Sequence, residues 1–177
     1  MNIMRMNLIV PLLVGSALMS VLVWADIPSA RSDCLSGKSE TTPSSDFTEI
    51  ENGSVVRHET TGLEWRRCSE GMIWSGSYCS GNAQSYVWKD ALQHADNLTG
   101  WRLPDIDELR SIVEHCRVGP TINQQVFPNT PTSGFWSAST SSGESGRAWT
   151  LLFLNGNDNW NPTSVSRRVR LDRKSVV

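Results

Sequence analysis

The stretch Phe47-Thr48-Glu49-Ile50-Glu51-Asn52-Gly53-Ser54-Val55-Val56-Arg57-His58 decides how the folded part of the chain begins. Asn-Gly between two alternating apolar runs is a strong hairpin signal, because both turn residues tolerate positive φ. A hairpin of residues 47–50 and 54–58 is therefore expected. Thr61-Gly62 makes a second turn, and Leu63-Glu64-Trp65-Arg66 follows with Leu63 and Trp65 on one face and Glu64 and Arg66 on the other. That alternation is the mark of a half-buried strand.

Downstream the period changes from two to 3.6. Val87, Ala91, Leu92, Ala95 and Leu98 recur at helical spacing between a cap at Asn82 and a stop at Gly100, so a helix is expected over 83–98. Pro104-Asp105-Ile106-Asp107-Glu108 announces a second helix, in which Asp105 caps and Glu108 reaches back as its capping-box partner. Its apolar stripe runs through Ile106, Leu109, Ile112, Val113 and Cys116. After Gly119-Pro120 loops are expected to dominate, including the Ser/Thr/Gly-rich residues 137–146. Strands are expected at 148–154 and 165–171, with the polar turn Asn155-Gly156-Asn157-Asp158-Asn159 between them. Strands, then two helices, then short strands make an α+β domain and not the regular alternation of a parallel-sheet enzyme.

Ahead of that domain, Arg5 precedes an almost wholly apolar run from Leu8 to Val23, and Val23-Trp24-Ala25 offers a cleavage site before Asp26. This reads as a signal peptide over 1–25, with an uncleaved anchor as the rival reading. No second stretch approaches the roughly 20 apolar residues that a span requires, so no stable membrane span is expected after cleavage. Residues 26–46 are rich in Ser, Thr and Pro and form an extended lead-in, and 47–174 form one domain. The expected location is secreted or periplasmic. A net charge of −2 gives no global basic character that would suggest nucleic acid.

All four cysteines follow the leader, and an even count in an oxidising compartment reads as two disulfides. Three pairings are possible. Cys68 with Cys79 is favoured because Gly71, Gly76 and the serines between them make a loop that folds back, which leaves Cys34 with Cys116. Zinc is the rival, but no close Cys pair of the CxxC kind occurs.

Thr61-Gly62-Leu63-Glu64-Trp65-Arg66-Arg67-Cys68, then Gly71, Trp74, Cys79-Ser80-Gly81 and Trp88-Lys89-Asp90-Ala91-Leu92, resemble the Lcl C-terminal domain family, also called domain of unknown function 1566. The second half carries the resemblance on: Trp101-Arg102-Leu103-Pro104, Glu108-Leu109, Pro120-Thr121-Ile122-Asn123, Phe127-Pro128, Phe135-Trp136-Ser137, Ala148-Trp149 and Val169-Arg170-Leu171. The resemblance implies a compact domain similar to the C-type-lectin and sulfatase-modifying-factor (formylglycine-generating-enzyme) folds, as found in bacterial exported proteins and adhesins. The family's namesake sits on an adhesin that binds sulfated glycosaminoglycans, but a shared fold does not carry a ligand across. This chain also lacks any collagen-like segment.

Of the eight tryptophans, Trp65, Trp88, Trp101, Trp136 and Trp149 sit in contexts that point inward, whereas Trp74 and Trp160 lie in Gly- and Asn-rich loops and are candidates for ligand contact. Arg167, Arg168, Arg170, Arg173 and Lys174 form the densest basic cluster and could grip sulfate or carboxylate. Strand alternation would turn Arg168 and Arg170 outward, which a plain solvated face also explains. Asn157, Asp158 and Asn159 offer hard oxygen ligands of the kind calcium takes, although they are also ordinary turn residues. His58, His94 and His115 stand alone in the sequence, and Asp105, Asp107 and Glu108 are explained by helix capping, so no catalytic set is assembled and no enzyme is expected. The expectation is an exported lectin-like domain that recognises a glycan, sulfated or neutral, or another surface component, and that is able to self-associate. The alternative is an accessory part of a surface appendage that binds protein.

Overall fold

The computed structural model describes residues 34–140 and 145–174; the expected leader over 1–25 and residues 26–33 of the lead-in lie outside the described residues. Strands β1 (Phe47–Ile50) and β2 (Val55–His58) form the expected hairpin, in register from Phe47↔His58 to Ile50↔Val55. Glu51, Asn52 and Gly53 reverse the chain with φ of 49°, 56° and 78°. Asn and Gly take that region at little cost. Glu51 does not, and it is held there by an ion pair to Arg173.

Strand β3 (Leu63–Arg66) adds to β2, from Val55↔Arg66 to His58↔Leu63. Leu63 and Trp65 are buried as expected, but the other face is not simply open to solvent. Glu64 is only 5% exposed, set between Arg57 at 2.7 Å and Arg173 at 2.8 Å.

Strands β4 (Ile73–Trp74) and β5 (Cys79–Ser80) fold back on each other within the loop that Cys68–Cys79 closes, with Cα atoms 5.5 Å apart. The second bridge joins Cys34 to Cys116, so both favoured pairings are found and neither leaves a thiol for zinc. Replacing Cys68 and Cys79 together with Ser should lower stability by about 3 kcal/mol, from the restored freedom of the unfolded loop. Urea denaturation would reveal it as an earlier midpoint, and an unmoved midpoint would refute that contribution.

The first helix is shorter than its apolar spacing suggests. Strand β6 (Ser85–Tyr86) takes its first turn, and α1 spans Trp88–Asp96 with Val87, not Asn82, at its N-cap. Helix α2 (Ile106–Arg110) has the expected capping box: Asp105 accepts from the Glu108 N–H, and Glu108 accepts from the Asp105 N–H, each at 2.8 Å. The apolar stripe continues beyond it, because Ile112, Val113 and Cys116 are all buried, but outside any helix.

The largest departure is β7 (Gly134–Thr140), seven residues of strand where a loop was expected from Ser137 onward. Phe135 and Trp136 anchor it in the core, and Ser137 is tolerated there because its hydroxyl donates to the Trp149 carbonyl at 3.0 Å. Strands β8 (Arg147–Leu152) and β9 (Asn157–Pro162) pair without interruption, so the reversal lies at 153–156, and Asn157, Asp158 and Asn159 belong to a strand and not to a turn.

The single strand expected over 165–171 is divided. Strand β10 (Arg167–Arg168) lies between β6 and β7, whereas β11 (Asp172–Lys174) pairs with β3. Two sheets result, ordered β1-β2-β3-β11 and β6-β10-β7-β8-β9, beside the small β4-β5 pair. Val169, Arg170 and Leu171 carry the chain from one sheet to the other and are fully buried. The core has two parts, one around Trp65, Leu109, Phe127 and Phe135, the other around Ala91, Leu103, Trp136 and Val169. The domain is α+β, and among the described residues no helix is long and apolar enough to cross a membrane.

Candidate functional site

A cleft of about 220 Å3 opens where the β1–β2 turn meets the disulfide-closed hairpin, lined by Glu51, Arg66, Glu70, Met72, Trp74 and Trp101 among others. Local sequence explains how its walls are held. Trp74 stands on β4, inside the Cys68–Cys79 loop, and its indole N–H donates to the Asn52 carbonyl at 3.3 Å. Behind it the Arg67 guanidinium lies 4.3 Å from the ring centroid, itself fixed by donating to the carbonyls of Gly53, Gln125 and Val126. Gly71 brings the hairpin close: a Cβ there would fall 2.6 Å from Gln84 Cγ at a φ of 88° that L side chains rarely adopt.

On the facing side Trp101 carries two cations, Arg66 at 5.0 Å and Arg173 at 4.5 Å from its centroid. Arg66 pairs with Glu70 at 3.1 Å. The Glu70 side chain is 5% exposed and also meets His94 Nε2 at 2.7 Å, while the His94 ring stacks on Tyr86 at 4.9 Å. Burial, reinforced by the Glu70 charge, raises the Tyr86 phenol above its ordinary value. Flat indole surface beside a fixed donor and a fixed acceptor can hold a ligand that has an apolar face and hydroxyl groups.

A wider hollow of about 670 Å3 lies by Thr61, Leu63, Lys174 and the first turn of α2. Two of its carboxylates are committed to the fold. Asp105 and Glu108 close the capping box, and Arg102 bridges Glu108 at 2.5 Å and Asp172 at 2.8 Å. Burial would raise Glu108, but its bond to Arg102 and the Asp105 N–H hold it below the ordinary value. For Asp172, burial outweighs Arg102 and pushes the carboxyl up to about 7.

The structure scatters the residues marked from sequence. Trp74 lines the cleft, whereas Trp160 lies on β9, 41% exposed, its ring edge-on to Trp149 at 5.2 Å. Arg170 is the clearest correction. It is fully buried, donating to the carbonyls of Arg66 at 2.8 Å and Arg67 at 2.5 Å and to the Thr130 hydroxyl at 2.7 Å. Residues 169–171 cross between sheets, so the alternation assumed for a continuous strand does not apply. Arg167 donates to Asn161 at 2.9 Å, Arg168 to the Ala83 carbonyl, and Arg173 pairs with Glu51 and Glu64, so no common basic face forms.

The calcium set is corrected too. Successive strand residues face opposite ways, so Asp158 on β9 turns away from Asn157 and Asn159, and it pairs with Arg110. Cys34, Glu114 and Cys116 approach one another at metal-ligand spacing, but the sulfurs are bonded to each other and the Glu114 oxygens accept the N–H groups of Thr41, Thr42 and Cys116.

Two features were invisible from sequence. His94 does not stand alone, because Glu70 reaches it across 24 positions from a turn to a helix, and no spacing signals such a pair. Trp101, assigned to the core, is half-buried and forms a cleft wall. Trp65 and Trp136 are fully buried as expected, and Trp88 and Trp149 are half-buried.

Comparison with known proteins agrees with the order of motifs along the chain. No curated protein matches it. The model of the Lcl C-terminal domain family matches residues 54–173, from just before β2 into β11 and with both helices, and the chain belongs to that family.

Proposed function

We propose that this chain is an exported, lectin-like binding domain that takes a short, hydroxyl-rich glycan in the cleft between Trp74 and Trp101. The observation that supports this reading is the combination, in one concave site, of indole surface with the Arg66–Glu70 ion pair. The apolar face of a pyranose packs on an indole, while its hydroxyls donate to a carboxylate and accept from a guanidinium. At about 220 Å3 the cleft falls below the roughly 300–1,000 Å3 of drug-sized sites, which suits one or two sugar rings. Two disulfides accord with an oxidising compartment, the periplasm or the exterior. A neutral glycan fits better than a sulfated one, since Arg66, the basic residue that lines the cleft, is already neutralised by Glu70, and Arg167, Arg168 and Arg170 do not line it. Glu70 and His94 act in this reading as a pair that fixes the cleft floor, without catalysis.

The test is an array of neutral and sulfated glycans, with and without calcium, read for the parent, Trp74→Ala, Glu70→Gln and the double change Arg167→Ser with Arg168→Ser. Neutral-glycan binding should fall at least about tenfold, a loss of ~1.4 kcal/mol, in the first two variants and hold in the third. Binding confined to sulfated chains, salt-sensitive and lost with Arg167 and Arg168, would overturn the assignment. A second reading, an accessory subunit that binds protein, has one observation in its favour. Ile73 and Tyr78, on the β4–β5 hairpin, are 72% and 53% exposed, and an array without hits would shift the weight to them.

A further inference from the structure

Strand β9 closes one side of the five-stranded sheet, and among the described residues only β8 pairs with it. The backbone N–H and C=O groups of an edge strand that face away from its neighbour offer a template for another strand, and proteins usually blunt such an edge with lysines, bulges or prolines. Here the register with β8 runs unbroken from Arg147↔Pro162 to Leu152↔Asn157. Strand β9 holds no basic residue, its one acid, Asp158, is neutralised by Arg110, and its one proline is the last residue. The opposite edge of the sheet, β6, is two residues long. In the middle of β9 stands the exposed Trp160.

We propose that two copies of this chain join through β9, antiparallel, about a two-fold axis at Trp160. In that register Trp160 meets Trp160 of the partner subunit, Asn159 meets the partner's Asn161, and Asp158 meets the partner's Pro162. Aromatic pairs directly opposite one another stabilise a two-stranded ladder, and like charges destabilise it. An axis at Asp158 would set two carboxylates face to face, so charge selects against that register. The two five-stranded sheets become one continuous sheet, and the tryptophans cover each other. Two short strands bury less than the roughly 1,200 Å2 at the low end of stable interfaces, so the association is weak and concentration-dependent. The cleft is built from β2, β3, β4 and the turns beside them, none of which is in this sheet. Both clefts stay open, and the pair is bivalent toward a repeating ligand.

Sedimentation equilibrium of the purified, disulfide-bonded protein from about 1 µM to about 500 µM, a range that brackets a weak dimer, tests the proposal. The average mass should rise from one copy toward two. Trp160→Lys and Trp160→Asp should each stay single, because like charges then face across the axis, while an equimolar mixture of the two should pair again. Amide exchange of the unmodified protein supplies a second measurement that needs no variant, with protection of 157–161 rising at the higher concentration. A single mass throughout, variants that associate as the parent does, a mixture that fails to pair, or unchanged protection of β9 would each overturn the proposal.

Discussion

Arg170→Ala should be the most damaging single substitution in the domain, lowering stability by about 3–5 kcal/mol, the range for truncating a large buried side chain to alanine, with its hydrogen bonds lost as well. The fully buried guanidinium holds the carbonyls of Arg66 and Arg67 and the Thr130 hydroxyl, and lies 4.8 Å from the Phe127 ring centroid. Alanine leaves those acceptors without donors and opens a cavity, and both effects are costly. Burial pulls the guanidinium down to about 9, with Glu70 opposing, so it is still charged at neutral pH. Arg170→Lys should recover only part of the loss, because one ammonium cannot reproduce the planar fork that spans these partners. Urea or thermal unfolding measures both variants, and an Arg170→Ala protein as stable as its parent would show that the network contributes nothing net.

The second large effect is on the pH dependence of stability, which two buried carboxylates should shape from opposite sides. Glu114 is fully buried and accepts from the Thr41 and Thr42 N–H groups at 2.9 and 2.8 Å, from the Cys116 N–H at 3.0 Å, and from both threonine hydroxyls. Burial would raise its pKa, but these donors hold it below the ordinary value. A depressed carboxylate contributes stability above its unfolded pKa that is lost as pH falls through the folded one. Asp172 has the opposite sign. With its folded pKa near 7 against 3.8, its contribution is full below the unfolded value and is lost as pH rises toward 7.

The melting temperature should therefore peak in mildly acidic solution. Glu114→Gln should lower the peak by several degrees, since hydrogen bonds to a charged group contribute about 1.5–3 kcal/mol, and should flatten the acid limb. Asp172→Asn should flatten the limb between pH 5 and 7. Thermal scans from acid to neutral pH check both: a parent curve level below pH 4.5 would contradict the Glu114 assignment, and one level from pH 3.8 to 7 the Asp172 assignment.

What could be read from sequence was what is local. The Asn52-Gly53 reversal and the Asp105–Glu108 capping box depend on residues within four positions of each other, and both are found where expected. The burial of Ile112, Val113 and Cys116 was legible as a periodicity even though the helix stops at Arg110. Strand β7 was not, because Ser137 looks solvent-facing until the Trp149 carbonyl that satisfies it is in place. Arg170 was misread for a related reason: the alternation rule presumes a continuous strand, and the chain leaves one sheet for the other at that point. The cleft was half legible. Trp74 stood out in its loop, but Glu70, His94 and Trp101 come together only through the disulfide hairpin and α1.

The crossing at Val169–Leu171 also bears on the order in which the molecule can form. Strand β3 has no outer partner until Asp172–Lys174 arrives, and β6 and β7 are not joined until Arg167–Arg168 slots between them. Both sheets thus await residues 167–174, and the Arg66 and Glu70 amides find their acceptors only at Leu171 and Val169. A nascent chain short of residue 165 lacks the strands that complete either sheet. Folding dominated by such distant pairings is slow.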